Sequence, residues 1–215
     1  MRTFLFFLFL IHFFSVFSQD FTRKDSLRGT LTSIRTCYDV TFYDLFLQID
    51  EQELSIESSY NIIHFIATSD LSRIQVDLAF NMEVQSIKFK ETELVFTREY
   101  DAVYIDFPEL IQEGEQVVIK IYFGGYPREA VNPPWDGGFS WENDKNGNPW
   151  VAVSCQGLGA STWWPCKDHQ SDEPDSMRIT CVARYPWQII SNGNLRSDTS
   201  EWNQYFNSWV NKREW

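Results

Sequence analysis

The 215 residues include 18 lysines and arginines against 30 aspartates and glutamates, which gives the chain a formal net charge of −12 at pH 7. Such an acidic surface repels phosphate backbones and anionic lipid headgroups, so neither nucleic acid nor a membrane is expected as a partner. About 200 residues are enough for one domain that buries a core of its own without disulfide staples.

The first residues have the three parts of a secretory signal peptide. Arg2 provides the positive charge, Phe4–Phe17 form an apolar run, and the pattern predicts cleavage after Ser18. The apolar run is shorter than the ~20 residues that span a bilayer, so an uncleaved membrane anchor or a lipid anchor is the less favoured alternative. We therefore expect residues 1–18 to be a signal peptide and residues 19–215 to be exported, as a periplasmic or secreted protein.

The chain has four cysteines, Cys37, Cys155, Cys166 and Cys181, none of them in a C-x-x-C pair. In an oxidising compartment four cysteines allow three pairings. One disulfide is possible, but the core is large enough for the fold not to depend on it.

Short segments rich in β-branched and aromatic residues follow one another from Tyr38 to Gly125, with turn signals between them. None shows a sustained 3.6-residue period, so the pattern predicts an all-β, antiparallel β-sandwich almost without helix. The predicted strands are residues 38–49, 55–67, 72–80, 84–90, 93–99, 102–107 and 116–125.

After Gly125 the chain becomes irregular and then returns to strand-like segments. "NDKNGNP" (143–149) predicts a hairpin tip before the strand "WVAVS" (150–154). "SMRITCVARYP" (176–186) and "WQIISNG" (187–193) are predicted as two strands that close the sandwich. The chain stops on a strand-like "YFNSWV" (205–210) and a short tail, so we expect the domain of residues 19–215 to be incomplete at its C-terminal end.

The segment "SCQGLGASTWWPCKDHQSDEPDSM" (154–177) is the richest in chemically active side chains. Cys166, His169 and Asp172 are spaced three apart, but a structural zinc site needs four ligands and a second histidine is missing. "GLGAS" is not a G-x-S-x-G nucleophile elbow, and a cysteine paired with His169 has no specific spacing to support it. No catalytic residue and no metal ligand are therefore predicted.

Binding is the function that this segment favours. Its acidic run, Asp168 to Asp175, is most simply a solvated loop. Gln156 offers an uncharged amide, and Trp163 and Trp164 offer flat apolar walls, which together suit a small polar group on an apolar surface.

Two stretches resemble a known family. "REAVNPPWDGGFSWENDKNGNPWVAVSCQGLGASTWWPCKDHQSDEPDSM" (128–177) and "FTRKDSLRGTLTSIRTCYDVTFYDL" (21–45) are similar to the N-terminal β-domain of M1-family zinc aminopeptidases, the aminopeptidase N and leukotriene A4 hydrolase family. The similarity is greatest to the forms exported by Bacteroidetes-type bacteria, and it extends to about Leu195. It implies a saddle-shaped β-sandwich beside a thermolysin-like catalytic domain, in the same or a separate chain.

The resemblance also implies a role for two residues. In that family a Gln or Glu at the position of Gln156 binds the free α-amino group of the peptide substrate, and Ser154 lies at a neighbouring position that often bears an amide. Gln156 and Ser154 are therefore the expected substrate-binding residues, and peptide N-termini are the expected ligand. A serine in place of an amide weakens the expectation of a second contact.

The catalytic motifs of that family are missing from these 215 residues. No histidine begins an H-E-x-x-H sequence, and no methionine lies in a G-x-M-E-N sequence. We therefore expect no cofactor in this chain, zinc in a catalytic domain outside it, and no peptidase activity of the chain alone.

Two alternatives remain open. One is an exported binding module for glycans or proteins, with Trp135, Trp163 and Trp164 as an exposed stacking surface. The other is a non-catalytic interaction subunit that docks onto a separately encoded catalytic chain through an exposed apolar patch.

Overall fold

The computed structural model describes residues 21–215, so the predicted signal peptide, residues 1–18, lies outside the described residues. The described part begins with two short helices, α1 (Arg23–Gly29) and α2 (Ser33–Thr36). Thr22 and Asp25 form a capping box at the start of α1, in which each side chain bonds the other residue's backbone N–H. Helix is otherwise limited to one short 3-10 turn, Ala160–Thr162, within this part of the chain.

Thirteen strands occur in residues 21–215, and in strands such as β2 and β8 buried side chains alternate with more exposed ones. They are β1 (Tyr38–Asp50), β2 (Ser55–Ala67), β3 (Leu71–Asp77), β4 (Met82–Phe89), β5 (Thr92–Glu93), β6 (Val95–Glu99), β7 (Ala102–Ile111), β8 (Gln116–Gly125), β9 (Gly138–Asn143), β10 (Pro149–Ser154), β11 (Ser176–Arg184), β12 (Ser197–Asn203) and β13 (Ser208–Glu214).

The strands form a large sheet, a small sheet and a separate hairpin. The eight-stranded sheet has the order β12-β13-β11-β1-β2-β8-β4-β5, the three-stranded sheet has the order β3-β7-β6, and β9 pairs only with β10 among the named strands. This confirms the predicted all-β class. One pairing departs from the antiparallel expectation: β1 runs parallel to β11, with Leu45 opposite Ile179. Sequence periodicity cannot show such a pairing, because the two strands lie far apart in the chain.

The two sheets share one apolar core. Leu45 and Ile63 on the large sheet and Ile74 and Val103 on the small sheet are fully buried and belong to the same cluster. Apolar burial of this kind is the main favourable contribution to folding, at roughly 25 cal/mol per Å² removed from water. The loop after β10 packs on this core through Trp164 and Cys166, which belong to the same cluster.

The predicted strand "WQIISNG" (187–193) is wrong. This segment runs over the end of the large sheet, where the Asn211 side chain donates a 2.7 Å hydrogen bond to Trp187 O and the Arg213 guanidinium donates one of 2.7 Å to Ile189 O. Two of its backbone carbonyl groups thus accept hydrogen bonds from side chains. The strand that pairs with β11 is β13, not this segment.

The strand predicted at "YFNSWV" (205–210) is displaced. Gln204–Asn207 form the turn between β12 and β13, and Asn207 adopts a φ of 46°. Asparagine tolerates this left-handed conformation better than most residues, so the turn falls here and the strand begins at Ser208.

No helix in the described part of the chain has both the length and the hydrophobicity needed to cross a bilayer. All four cysteines are free, so the possible disulfide is not formed. Cys37, Cys166 and Cys181 are buried, and burial raises the pKa of Cys181 to about 12.

Candidate functional site

The β-hairpin formed by β9 and β10 precedes Gln156 in the chain. The predicted tip at residues 143–149 is confirmed, since β9 ends at Asn143 and β10 begins at Pro149. Asp144 closes the tip by accepting hydrogen bonds of 2.8 Å from the backbone N–H groups of Asn146 and Asn148. Together with the Asn148 side-chain amide, these bonds hold the pKa of Asp144 below its ordinary value.

The base of the hairpin is fixed by Asp136 and Gly138. The Asp136 carboxylate accepts hydrogen bonds from Val131 N at 2.6 Å and from Asn132 N at 2.7 Å. Gly138 has a φ of +148°, and a Cβ placed there would lie 2.6 Å from Arg128 O, so only glycine fits. The base of the hairpin is therefore rigid.

Ser154 contributes to this rigidity. It is the last residue of β10, and its hydroxyl donates a 2.9 Å hydrogen bond to Asp136 O. The donor of Ser154 is thus engaged within the protein, while the hydroxyl oxygen keeps acceptor capacity for a ligand.

Gln156 begins an exposed turn two residues beyond β10. Gly159 N donates a 2.8 Å hydrogen bond to Cys155 O and closes this turn, in which Gly157 has a φ of +76°. The Gln156 side chain is exposed, and its amide forms no hydrogen bond with any residue in the range 21–215. Its carbonyl oxygen and its NH₂ group are both available to a ligand.

Residues 155–172, which include Gln156, form a segment that we call the anchored loop. Trp163 and Trp164 hold this loop in place. The Trp163 indole N–H lies 3.1 Å from Cys155 Sγ, and the Trp163 ring packs edge-on against Phe139 with 5.6 Å between centroids. Trp164 is only 7% exposed and packs against Tyr43. The expectation that both tryptophans wall a ligand site is therefore wrong for Trp164, which is part of the core.

The glycan alternative loses its stacking surface for the same reason. Trp135 is 68% exposed, whereas Trp163 is half-buried and Trp164 is buried. These three indoles therefore do not form one solvent-facing surface.

The acidic run is not a simple solvated loop, and that prediction is wrong for Asp168 and Asp172. Lys167 and Asp172 form an ion pair with side chains only 5% and 3% exposed, and Lys167 Nζ also donates to Tyr38 O. Asp168 accepts a 2.6 Å hydrogen bond from Ser161 Oγ. A buried charge needs such a partner, because desolvation otherwise costs several kcal/mol. Glu173 and Asp175 are exposed, as predicted.

A second buried ion pair joins α2 to the small sheet, and the anchored loop is hydrogen-bonded to it. Arg35 and Asp77 are paired at 0% and 2% side-chain exposure, and Asp77 also accepts hydrogen bonds from Gln75 Nε2 and Asp168 N. Backbone hydrogen bonds between Asp77 and Cys166, of 2.8 and 3.1 Å, extend this contact. This network was not predicted from the sequence, although Gln75 and Asp77 alternate with the apolar Ile74 and Val76 in β3.

The residues present do not fit a metal ion. Within residues 21–215 no three His, Cys, Asp or Glu side chains converge as metal ligands would. Cys166 is buried, and the His169 ring instead contacts Ser171 Oγ at 2.9 Å. Zinc chemistry is therefore not assigned to any residue of the described chain.

Comparison with known proteins identifies the class of fold. No family model matches the chain, and no curated protein matches its sequence. Solved structures do match: the all-β fold is that of the N-terminal domain of M1 zinc metallopeptidases, as the sequence resemblance predicts.

Three structures illustrate the match. A mutant M1 zinc metallopeptidase from Deinococcus radiodurans has a TM-score of 0.66 and 21% identity over 83% of this chain and 38% of its own. A mutant M1 enzyme from the same organism, bound to a Tyr-Ser-Ala substrate, gives 0.65 and 21% over 83% and 39%. Yeast LTA4 hydrolase gives 0.58 and 15% over 87% and 28%. This chain thus spans less than two fifths of each matched protein.

Proposed function

We propose that this chain is the substrate-recognition and scaffold domain of an exported M1-type zinc metallo-aminopeptidase. In this proposal Gln156 binds the free α-amino group of a peptide, and a thermolysin-like catalytic domain, in the same or a separate chain, supplies the zinc and the hydrolytic groups. The observation that carries it is the exposed, unbonded amide of Gln156 on a loop that is otherwise tied down on both sides.

Rigidity on both sides of Gln156 supports a binding role. On its N-terminal side Ser154 is bonded to Asp136, and on its C-terminal side Trp163 holds Cys155 while the Lys167–Asp172 pair fixes the end of the anchored loop. A backbone held in this way loses little further conformational entropy when a ligand binds, so only the Gln156 side chain must be ordered.

The chemistry of a glutamine suits an ammonium group only in part. Its Oε1 accepts one of the three N–H donors of a peptide amine, and Ser154 Oγ offers a second acceptor nearby in sequence. A neutral amide does not match the positive charge, so a carboxylate from the catalytic domain is needed to complete the site. In this proposal Gln156 and Ser154 bind and orient the amine. No residue from 21 to 215 is assigned a role in hydrolysis.

Binding of matched peptides tests the proposal. Saturation-transfer NMR would compare tri-alanine amide, which has a free amine, with N-acetyl-tri-alanine amide, which has none. We expect the 215-residue chain to bind the free amine weakly and the acetylated peptide still more weakly. Gln156→Glu should tighten free-amine binding several-fold, because the hydrogen bond becomes charge-assisted.

Gln170→Ala is the matched control, since Gln170 is an exposed glutamine in the same anchored loop. It should leave the preference for the free amine unchanged, whereas Gln156→Ala should abolish it. Equal binding of both peptides by the parent chain, or an unchanged preference in Gln156→Ala, would refute the assignment of Gln156.

A further inference from the structure

A separate cleft lies between α1 and the anchored loop. It has a volume of about 400 Å³ and is bounded by α1, the loop after β3, the turn before β7, the chain after β8 and the anchored loop from Leu158 to Thr162. Pockets of this size accept small molecules rather than folded partners.

Cationic side chains are concentrated in this cleft, and each lies within 3.9 Å of a carboxylate. Its lining includes three cations, Lys24, Arg28 and Arg128, and one carboxylate, Asp101, in a chain of net charge −12. Lys24 Nζ lies 3.1 Å from Asp101, so these two charges offset each other. The two arginines have longer separations from their carboxylate neighbours, and their guanidinium groups have further N–H donors for an anion.

Neither arginine is fully engaged by its carboxylate neighbour. Arg28 Nη2 lies 3.5 Å from Asp168 Oδ2, and Arg128 Nη2 lies 3.9 Å from Asp136 Oδ2. Both separations exceed the roughly 2.7–3.2 Å of a normal N–H···O hydrogen bond. Planar guanidinium groups with spare donors bind carboxylates in a bidentate manner.

The rest of the lining favours an organic ligand. Ala79, Phe80 and Leu158 give the cleft apolar walls, and Phe80 is largely exposed. We propose that this cleft binds a small monocarboxylate with an apolar body, the carboxylate on Arg28 and Arg128 and the body against Phe80 and Leu158. A multiply charged phosphate is disfavoured, because the neighbouring carboxylates of Asp101, Asp136 and Asp168 repel it more strongly than a monocarboxylate.

Titration calorimetry with N-acetyl-L-phenylalanine tests this site, and N-acetyl-L-phenylalanine amide serves as the ligand without a carboxylate. Because the amine of both probes is acetylated, neither probe offers a free amine to Gln156. The result therefore does not depend on whether the proposed function is correct. We expect the acid to bind and the amide to bind at least about fivefold more weakly, as loss of a charge-assisted contact requires.

Arg128→Gln should weaken binding of the acid by about fivefold or more, and the matched variant Arg196→Gln should change it by less than about twofold. Arg196 is exposed and does not line the cleft. Arg28→Gln should reproduce the loss if its thermal midpoint shows a folded protein. Equal binding of acid and amide, an unchanged affinity in Arg128→Gln, or tighter binding of inorganic phosphate than of the acid would overturn the proposal.

Discussion

The β-sandwich and the anchored loop are held together by different forces. The sandwich is stabilised by a continuous apolar core in which residues such as Phe65 and Ile119 are almost completely buried. Residues 155–172 depend instead on their own buried ion pair, Lys167–Asp172, and on a hydrogen bond to Asp77, which is paired with the buried Arg35. Apolar packing is non-directional and tolerates repacking, whereas a buried ion pair fixes one geometry and fails when one partner is removed. A rigid loop that presents a binding group needs the second kind of support.

The largest effect is expected in the core. Phe65→Ala removes a ring that packs against Tyr38 and Phe107, and it should lower the free energy of unfolding by about 3–5 kcal/mol through lost burial and a cavity. Urea denaturation followed by tryptophan fluorescence measures this. Phe80→Ala, at an exposed phenylalanine, should change stability by less than about 0.5 kcal/mol. Similar losses in both variants would show that the core is not where stability resides.

The next effect falls on the anchored loop. Lys167→Met leaves the Asp172 carboxylate buried without its ion-pair partner and should cost about 3 kcal/mol. Combining it with Asp172→Leu should recover most of that loss, because no unpaired charge remains. A double-mutant cycle in urea measures the coupling. If the two single losses of unfolding free energy simply add in the double variant, the Lys167–Asp172 ion pair does not stabilise the loop.

A smaller, pH-dependent effect is expected at the end of the large sheet. Burial raises the pKa of Asp50, but hydrogen bonds from Arg184 and from the backbone of Glu53 and Gln52 outweigh burial and hold this pKa below its ordinary value. A carboxyl with a lowered folded-state pKa stabilises the fold above its unfolded pKa, near 3.9, and loses that contribution as the pH falls through the folded value.

Asp50→Asn should therefore flatten the fall in stability below about pH 4, the ordinary range of an aspartate. Asp39→Asn, at an exposed aspartate on the same strand, should leave the pH profile unchanged. Urea midpoints between pH 2 and 7 provide the measurement, and the range is chosen to cover both protonation states. If stability falls equally with pH in Asp50→Asn and in the parent chain, the lowered pKa of Asp50 does not contribute to stability.

The smallest stability effect is expected at the binding residue itself. Gln156→Ala should change the free energy of unfolding by less than about 0.5 kcal/mol, because the side chain is exposed and bonds no described residue. Thermal unfolding checks this. A loss above about 1 kcal/mol would mean that Gln156 supports the loop rather than serving a ligand.

The same contrast explains what the sequence could predict. The strands Ser55–Ala67 and Gln116–Gly125 were predicted residue for residue, because alternation of apolar side chains is a local signal. The anchoring of residues 155–172 was missed, because it depends on partners such as Tyr38, Val40 and Asp77 that lie far away in the chain. An isolated acidic run looks the same in sequence whether it is solvated or paired.

The candidate site was predicted from family resemblance rather than from periodicity. That resemblance singled out Gln156, whose exposure is compatible with the role, and Ser154, whose hydroxyl proved to be bonded to Asp136. Trp164 was misjudged, because a tryptophan pair in a loop gives no sequence signal that separates a ligand wall from a core anchor.

The most direct test of the account follows the Gln156 side-chain amide by ¹H–¹⁵N NMR while tri-alanine amide is added to the 215-residue chain. The resonance is assigned by its loss in Gln156→Ala. We predict that this amide shifts on addition of the free-amine peptide while the side-chain amide of Gln170 stays in place. A Gln156 resonance that does not move, or that moves equally with the N-acetylated peptide, would contradict the central claim that this residue recognises a peptide's free amine.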